Sequence, residues 1–360
     1  MKKSHLGCVV QLIPVLCIII LTASCKKDKV QPNTVQPITI GLVEYGTSGG
    51  KRVFIPITKV GTKTVNYLGV FDTGSPGMTI DATDIIPPEM ITSNGITVTG
   101  DSVNVNGITI TNQATVINYG DKTNGTKEYG NLAYATVTVG NEAGSINIKR
   151  IPIFLYYKVI DNNGTQLTAH SSDVFGVDPS ISFVNSAITS PLRAVNTGSN
   201  LISGFKLATL NSVDFTSGST FVSGLLTVGL TQSDISSSGF IMHPLNYSSA
   251  GGYSPNIPST LTYGNKSIAA QVLFDTGTPH VTVIEDQTAS IGNLPAGTVV
   301  KVQTNKGFVY QYTTAATTNL SAVQNPSNTN DYRTIFSIDF FIQNEYLTDY
   351  TNHQIGLKNN

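Results

Sequence analysis

From about Ile38 onward the chain alternates between short apolar–polar runs and clusters of turn residues. Val53–Ile57, Ile96–Val98, Val103–Val105, Ile108–Ile110, Ala135–Val139, Leu225–Val228 and Val299–Val302 are such runs. A period of two in β-branched residues predicts half-buried strands. Asn106–Gly107 and Gly264–Asn265 lie between runs and predict tight hairpin turns, where central residues must adopt positive φ. Helical signals are few. The strongest covers Pro191–Asn196, with Ser190 as N-cap and Gly198 closing it. The pattern predicts an all-β protein with minor helix.

The first residues follow another logic. Lys2 and Lys3 precede Val9–Leu21, an apolar run broken only by Gln11 and Pro14; Thr22, Ala23, Ser24 and then Cys25 follow. A basic start, a short apolar run and small residues predict a secretory signal over 1–24, and the run is too short to span a bilayer. Cysteine after the small residues resembles the lipobox of bacterial lipoproteins, which implies cleavage before Cys25 and acylation of its thiol. The only cysteines are Cys8, Cys17 and Cys25, so a chain beginning at Cys25 forms no internal disulfide. Residues 25–38, polar and proline-containing, read as the tether. The expected location is outside the cytoplasm, lipid-anchored to a bacterial outer membrane and facing either the periplasm or the exterior.

Composition narrows the function. Charged residues make up 12% of the chain and the net charge is -1, which excludes a basic nucleic-acid surface. The five histidines show no metal-ligand spacing, and no metal or organic cofactor is implied. Gly46–Gly50 formally fits the nucleophile-elbow motif, but a strand follows where that motif needs a helix, so a turn is expected there.

The informative feature is an internal repeat. Gly69–Ile80 reads GVFDTGSPGMTI and Val272–Ile284 reads VLFDTGTPHVTVI. The two aspartates stand 203 residues apart by subtraction, leaving room for one β lobe around each copy. A single Asp-Thr-Gly-Ser/Thr occurs by chance in roughly one chain of this length in a hundred. Two copies with matched flanks, one per half, are far rarer.

Such a pair carries a definite chemistry. Asp72 and Asp275 brought face to face cannot both ionise easily, so they share a proton and titrate as a pair. The charged member serves as general base on a water, and the protonated member donates to a carbonyl oxygen. Gly74 and Gly277 permit close backbone approach. Ser75 and Thr278 can bond the outer carboxylate oxygens, while Thr73 and Thr276 can bond across to the opposite loop.

With these motifs the chain resembles the pepsin family of bilobal aspartic peptidases over nearly its whole length after the tether. Ile117–Gly140 is similar to the family's flap hairpin, which implies Tyr119 as flap tyrosine beside Gly120, with Tyr129 as the rival. Val174–Ser182 resembles the hydrophobic-hydrophobic-Gly segment of the first lobe, Ser190–Leu210 the helix and crossing strand, and Ile338–Leu357 the C-terminal strand, helix and strand. Two departures stand out. Ile338 occupies the place of the second lobe's expected glycine, where it would crowd Asp275. Thr79 stands where the family has tryptophan. His280, near Asp275, reads as a cleft or surface residue.

The resemblance implies a pepsin-like fold, with a first lobe over 39–210 and a second over 211–360. It implies a monomer that binds an extended peptide or protein substrate and hydrolyses it below neutral pH. The alternative is an inactive binding protein on the same fold.

Overall fold

The structure, a computed structural model, describes residues 35–122 and 125–360. The expected signal peptide, Cys25 and the first part of the tether lie outside the described residues. No helix among the described residues is long and apolar enough to cross a membrane.

Strands dominate, and they assemble into two large sheets of fourteen and eight strands. The two sequence repeats become two copies of one strand arrangement. In the first, Lys63–Asp72 runs parallel to Val174–Val177, pairing Phe71 with Phe175 and Asp72 with Gly176. Val174–Val177 lies antiparallel to Pro76–Asp81, which in turn runs parallel to the long strand Gly144–Asp161. In the second, Lys266–Phe274 runs parallel to Arg333–Phe336. That strand meets Thr282–Glu285, which runs parallel to Ser321–Gln324. Each aspartate therefore stands at the end of a strand interior to its sheet, with one parallel and one antiparallel neighbour. Such strands are apolar on both faces, as the four buried residues of Val174–Val177 and buried Val272–Phe274 show.

The larger sheet draws strands from both sides of residue 210. Ile38–Thr47 pairs with Thr220–Leu230, which pairs with Ile202–Leu207; the C-terminal strands Asn344–Asp349 and Gln354–Asn359 follow. The smaller sheet closes on an aromatic core in which Phe274 packs on Phe340 at 4.2 Å between ring centroids, with Phe336 beside them.

Local expectations fare well at the turns. Asn106 and Gly107 have φ of 50° and 71° and connect Val105 directly to its partner Ile108. Gly264, at φ 53°, does the same between Tyr263 and Lys266. The Pro191–Asn196 helix is a single 3-10 turn, Pro191–Ala194, with the Ser190 side chain accepting from the Leu192 amide at 3.3 Å. The run Ile96–Val98 is strand only at Gly95–Ile96. Ala135–Val139, in contrast, is the middle of a 17-residue strand, Gly125–Asn141.

Candidate active site

The two Asp-Thr-Gly loops meet. Thr73 and Thr276 lock them: each backbone amide donates to the other threonine's Oγ1 at 3.0 Å. Each hydroxyl then donates across the interface, Thr73 to the Phe274 carbonyl at 2.8 Å and Thr276 to the Phe71 carbonyl at 2.5 Å. Both side chains are fully buried. Every polar group of this interlock has a partner, so opening it would strand several at once.

Around each carboxylate the same bonds recur. The Gly74 amide donates to Asp72 Oδ1 at 2.7 Å and Ser75 Oγ to Asp72 Oδ2 at 2.6 Å. The Gly277 amide donates to Asp275 Oδ1 at 2.7 Å and Thr278 Oγ1 to Asp275 Oδ2 at 2.6 Å. A Cβ on Gly74 would lie 2.6 Å from Cγ of Asp275, and one on Gly277 would lie 2.7 Å from Cγ of Asp72. Each glycine thus forms the floor under the opposite carboxylate, and only a residue without a side chain fits. Burial, followed by the charge of Asp275, pushes the Asp72 carboxyl well above the usual carboxylate range, against the opposing bonds from Ser75 and Gly74.

Asp72 and Asp275 lie in a cleft of about 800 Å³ roofed by the hairpin that Ile108–Gly120 makes with Gly125–Asn141. Tyr119 and Gly120 line it, near the end of the hairpin. Burial and the Glu128 carboxyl push the Tyr119 phenol up, while the Ser75 and Thr79 hydroxyls oppose. Tyr119 lines the same cleft as Asp72, Gly74, Ser75 and Pro76. Tyr129 lies elsewhere, in a separate depression, with its ring 4.4 Å from Lys158 Nζ. His280 is half-buried and its neighbour Pro279, not His280, lines the cleft.

The expected crowding at Ile338 is relieved by register. Phe274 pairs with Phe336, so the residue facing Asp275 as Gly176 faces Asp72 is Ser337. A Cβ on Gly176 would meet the Ser75 carbonyl at 2.5 Å and that of Gly77 at 2.6 Å. Ser337 escapes this because the following strand starts only at Thr282, seven residues after Asp275, whereas its counterpart starts at Pro76, four after Asp72. Ile338 is buried in the core, and its amide donates to the Thr278 carbonyl at 3.0 Å.

Two residues of the site carried no recognised sequence signal. Arg52, on the strand Gly50–Val60, lines the cleft and donates to the carbonyl of Gly277. Burial lowers its pKa, against the charges of Asp275 and Asp72. Glu128, on the hairpin strand Gly125–Asn141, is fully buried with Ser172 donating to it at 3.0 Å, and burial pushes its carboxyl up to about 8. Arg52 is brought there by the Lys51 amide bond to the distant Pro279 carbonyl, and Glu128 lies where its strand pairs with Gly144–Asp161. A periodicity count would register Arg52 only as an exposed-face residue beside buried Val53.

No protein-family model matches the sequence, and no curated protein matches it. Solved structures do. An aspartic proteinase from Irpex lacteus aligns with TM-score 0.56 at 15% identity, covering 90% of this chain and 97% of its own. Basic 7S globulin from soybean aligns at 0.55 with 9% identity, covering 90% and 96%. Conglutin gamma, a basic 7S globulin from lupine seeds, aligns at 0.54 with 11% identity and the same coverage. The fold is the bilobal, pepsin-like β fold.

Proposed function

We propose that this chain is an aspartic-type endopeptidase in which Asp72 and Asp275 hydrolyse peptide bonds of an extended substrate. The observation that carries this reading is the duplicate hydrogen-bond set on two facing carboxylates, clamped by reciprocal threonine bonds. A loop that merely needed a turn would not require its glycine to abut the opposite carboxylate.

One carboxyl of the pair holds the shared proton and its partner is ionised, since two facing carboxylates resist a second charge. The ionised member takes a proton from water as the water oxygen attacks the peptide carbon. The protonated member gives its proton to the carbonyl oxygen, and a tetrahedral diol forms without a covalent bond to the enzyme. On collapse the proton taken from water passes to the leaving nitrogen, a diol proton returns to the carboxyl that gave one up, and the C–N bond breaks. Tyr119 and Gly120 on the hairpin cover a strand-like substrate, held by main-chain bonds with side chains alternating into subsites. The N-terminal pattern supports export and anchoring through a lipid on Cys25, on the outer membrane, and the family resemblance supports a monomer.

A second reading has its own support: two of the structures reported above carry the name basic 7S globulin, not proteinase. On it, the cleft binds without cleaving. Incubation of the purified protein with an unfolded protein between about pH 3 and 7, with and without pepstatin, separates the two. Pepstatin-sensitive cleavage is expected. A folded protein that neither cleaves nor binds pepstatin would favour the binding protein.

A further inference from the structure

Two arginines line the cleft, and they differ in how their charge is used. Arg333 is clasped by Asp331, with Nε to Oδ1 at 2.9 Å and Nη2 to Oδ2 at 2.7 Å. That fork-on-carboxylate geometry satisfies its charge within the chain. Lys51, the residue before Arg52, is likewise ion-paired with Asp339 at 2.5 Å. Arg52 forms no ion pair among the described residues. Its Nη1 donates to the Gly277 carbonyl, leaving most of five N–H donors without a protein acceptor among the described residues.

Its placement is built, not incidental. Val53, next in the strand, is fully buried in the core, so alternation turns Arg52 to the cleft face. The Lys51 amide donates to the Pro279 carbonyl at 2.8 Å, which holds this strand against the loop of the second repeat. The guanidinium is thus tied at one corner to Gly277, the residue whose amide holds Asp275. The carboxylates of the dyad, the charges that act on it, are already occupied by their own loops.

We propose that Arg52 is a specificity-determining residue that recognises an aspartate or glutamate side chain of the peptide, at the subsite walled by Gly277. This deepens the peptide-cleft reading above and rests on it. A planar guanidinium with free parallel donors matches a carboxylate in a way that neither a lysine ammonium nor a glutamine amide can. Because free Asp and Glu side chains ionise near pH 4, the discrimination operates at pH 6 and fades below about pH 4.

The test uses the full-length protein carrying Asp72→Asn, immobilised, with a random octapeptide library at pH 6 and mass-spectrometric sequencing of the retained peptides. Asp and Glu should be enriched about tenfold at one position, as expected for a charged hydrogen-bonded pair. Arg52→Gln in the same background should lose the enrichment and Arg52→Lys keep part of it, with thermal unfolding reporting that each variant is folded. Enrichment that survives in Arg52→Gln, absence of acidic enrichment, or retention of no peptide overturns the assignment. Acidic enrichment that depends on Arg52, in a protein whose wild type cleaves nothing, would support it while refuting the hydrolytic reading. Cleavage by wild type with no acidic preference would do the reverse.

Discussion

Replacing Gly74 by alanine places a methyl carbon 2.6 Å from both Cγ and Oδ1 of Asp275 and 2.9 Å from Oδ2. Ordinary contact begins at 3.4 Å, so the carboxylate or its loop must give way by about 0.8 Å. The Asp275 loop has little freedom to do so, because its amide and hydroxyl bonds and the threonine interlock all hold the same few residues. A misplacement approaching 1 Å at reacting groups costs about a hundredfold, or ~2.7 kcal/mol of barrier. Stability should fall by only about 1–3 kcal/mol, the usual cost of one overpacked methyl. The assay is kcat on a fluorogenic peptide at fixed pH, beside a urea unfolding curve. Gly218→Ala is the control, since its Cβ would meet nothing nearer than Thr216 Oγ1 at 3.9 Å. A folded Gly74→Ala protein with kcat within threefold of wild type would refute the claim that the two loops work at contact distance.

Other consequences follow from the same geometry. Thr73→Ala strands the buried Thr276 amide and Phe274 carbonyl, so urea unfolding should show a loss of about 3 kcal/mol. Tyr119→Phe should lower kcat/KM about tenfold by removing a hydroxyl that the cleft offers to substrate, whereas Tyr129→Phe, outside the cleft, should leave it unchanged in the same peptide assay. Stability should fall as pH rises. Burial pushes Glu128 up to about 8 in the folded chain against roughly 4.3 unfolded, so the folded state binds the extra proton throughout that window and ∂ΔG/∂pH is negative. Glu44 and Glu285, each raised to about 7, act in the same direction; Asp286, lowered to about 2, acts oppositely and only at lower pH. Thermal unfolding between pH 4.5 and 8 should therefore show a falling Tm, and Glu128→Gln should flatten the slope; an unchanged slope would refute the assignment to Glu128.

What the sequence makes legible here is local chemistry repeated at a distance. Two Asp-Thr-Gly runs announce two loops of one kind, and Asn-Gly and Gly-Asn announce hairpins because their backbone needs are set by the residues themselves. Ser190 caps its turn for the same reason. What escapes is set by pairing between distant strands. Counting along the chain puts Ile338 in the place of a glycine. The register of Phe274 on Phe336 puts Ser337 there instead, and the late start of the strand at Thr282 relieves the crowding. Arg52 reads as an ordinary polar residue of an alternating strand until Pro279, 227 positions away by subtraction, is seen to receive the preceding amide. Glu128 likewise carries no local signal of burial, and only the packing of its strand, with Ser172 donating to it, makes it a buried acid.

On the proposed function, two symmetric carboxylates together cleave a peptide bond. Hydrolysis of one peptide by wild type, Asp72→Asn and Asp275→Asn, each shown folded by its unfolding curve, tests it most directly. Each asparagine removes either the shared proton's carrier or the base while leaving the loop's shape, so each should abolish cleavage by several orders of magnitude. Cleavage that persists at more than about a tenth of the wild-type rate in either variant would contradict the account.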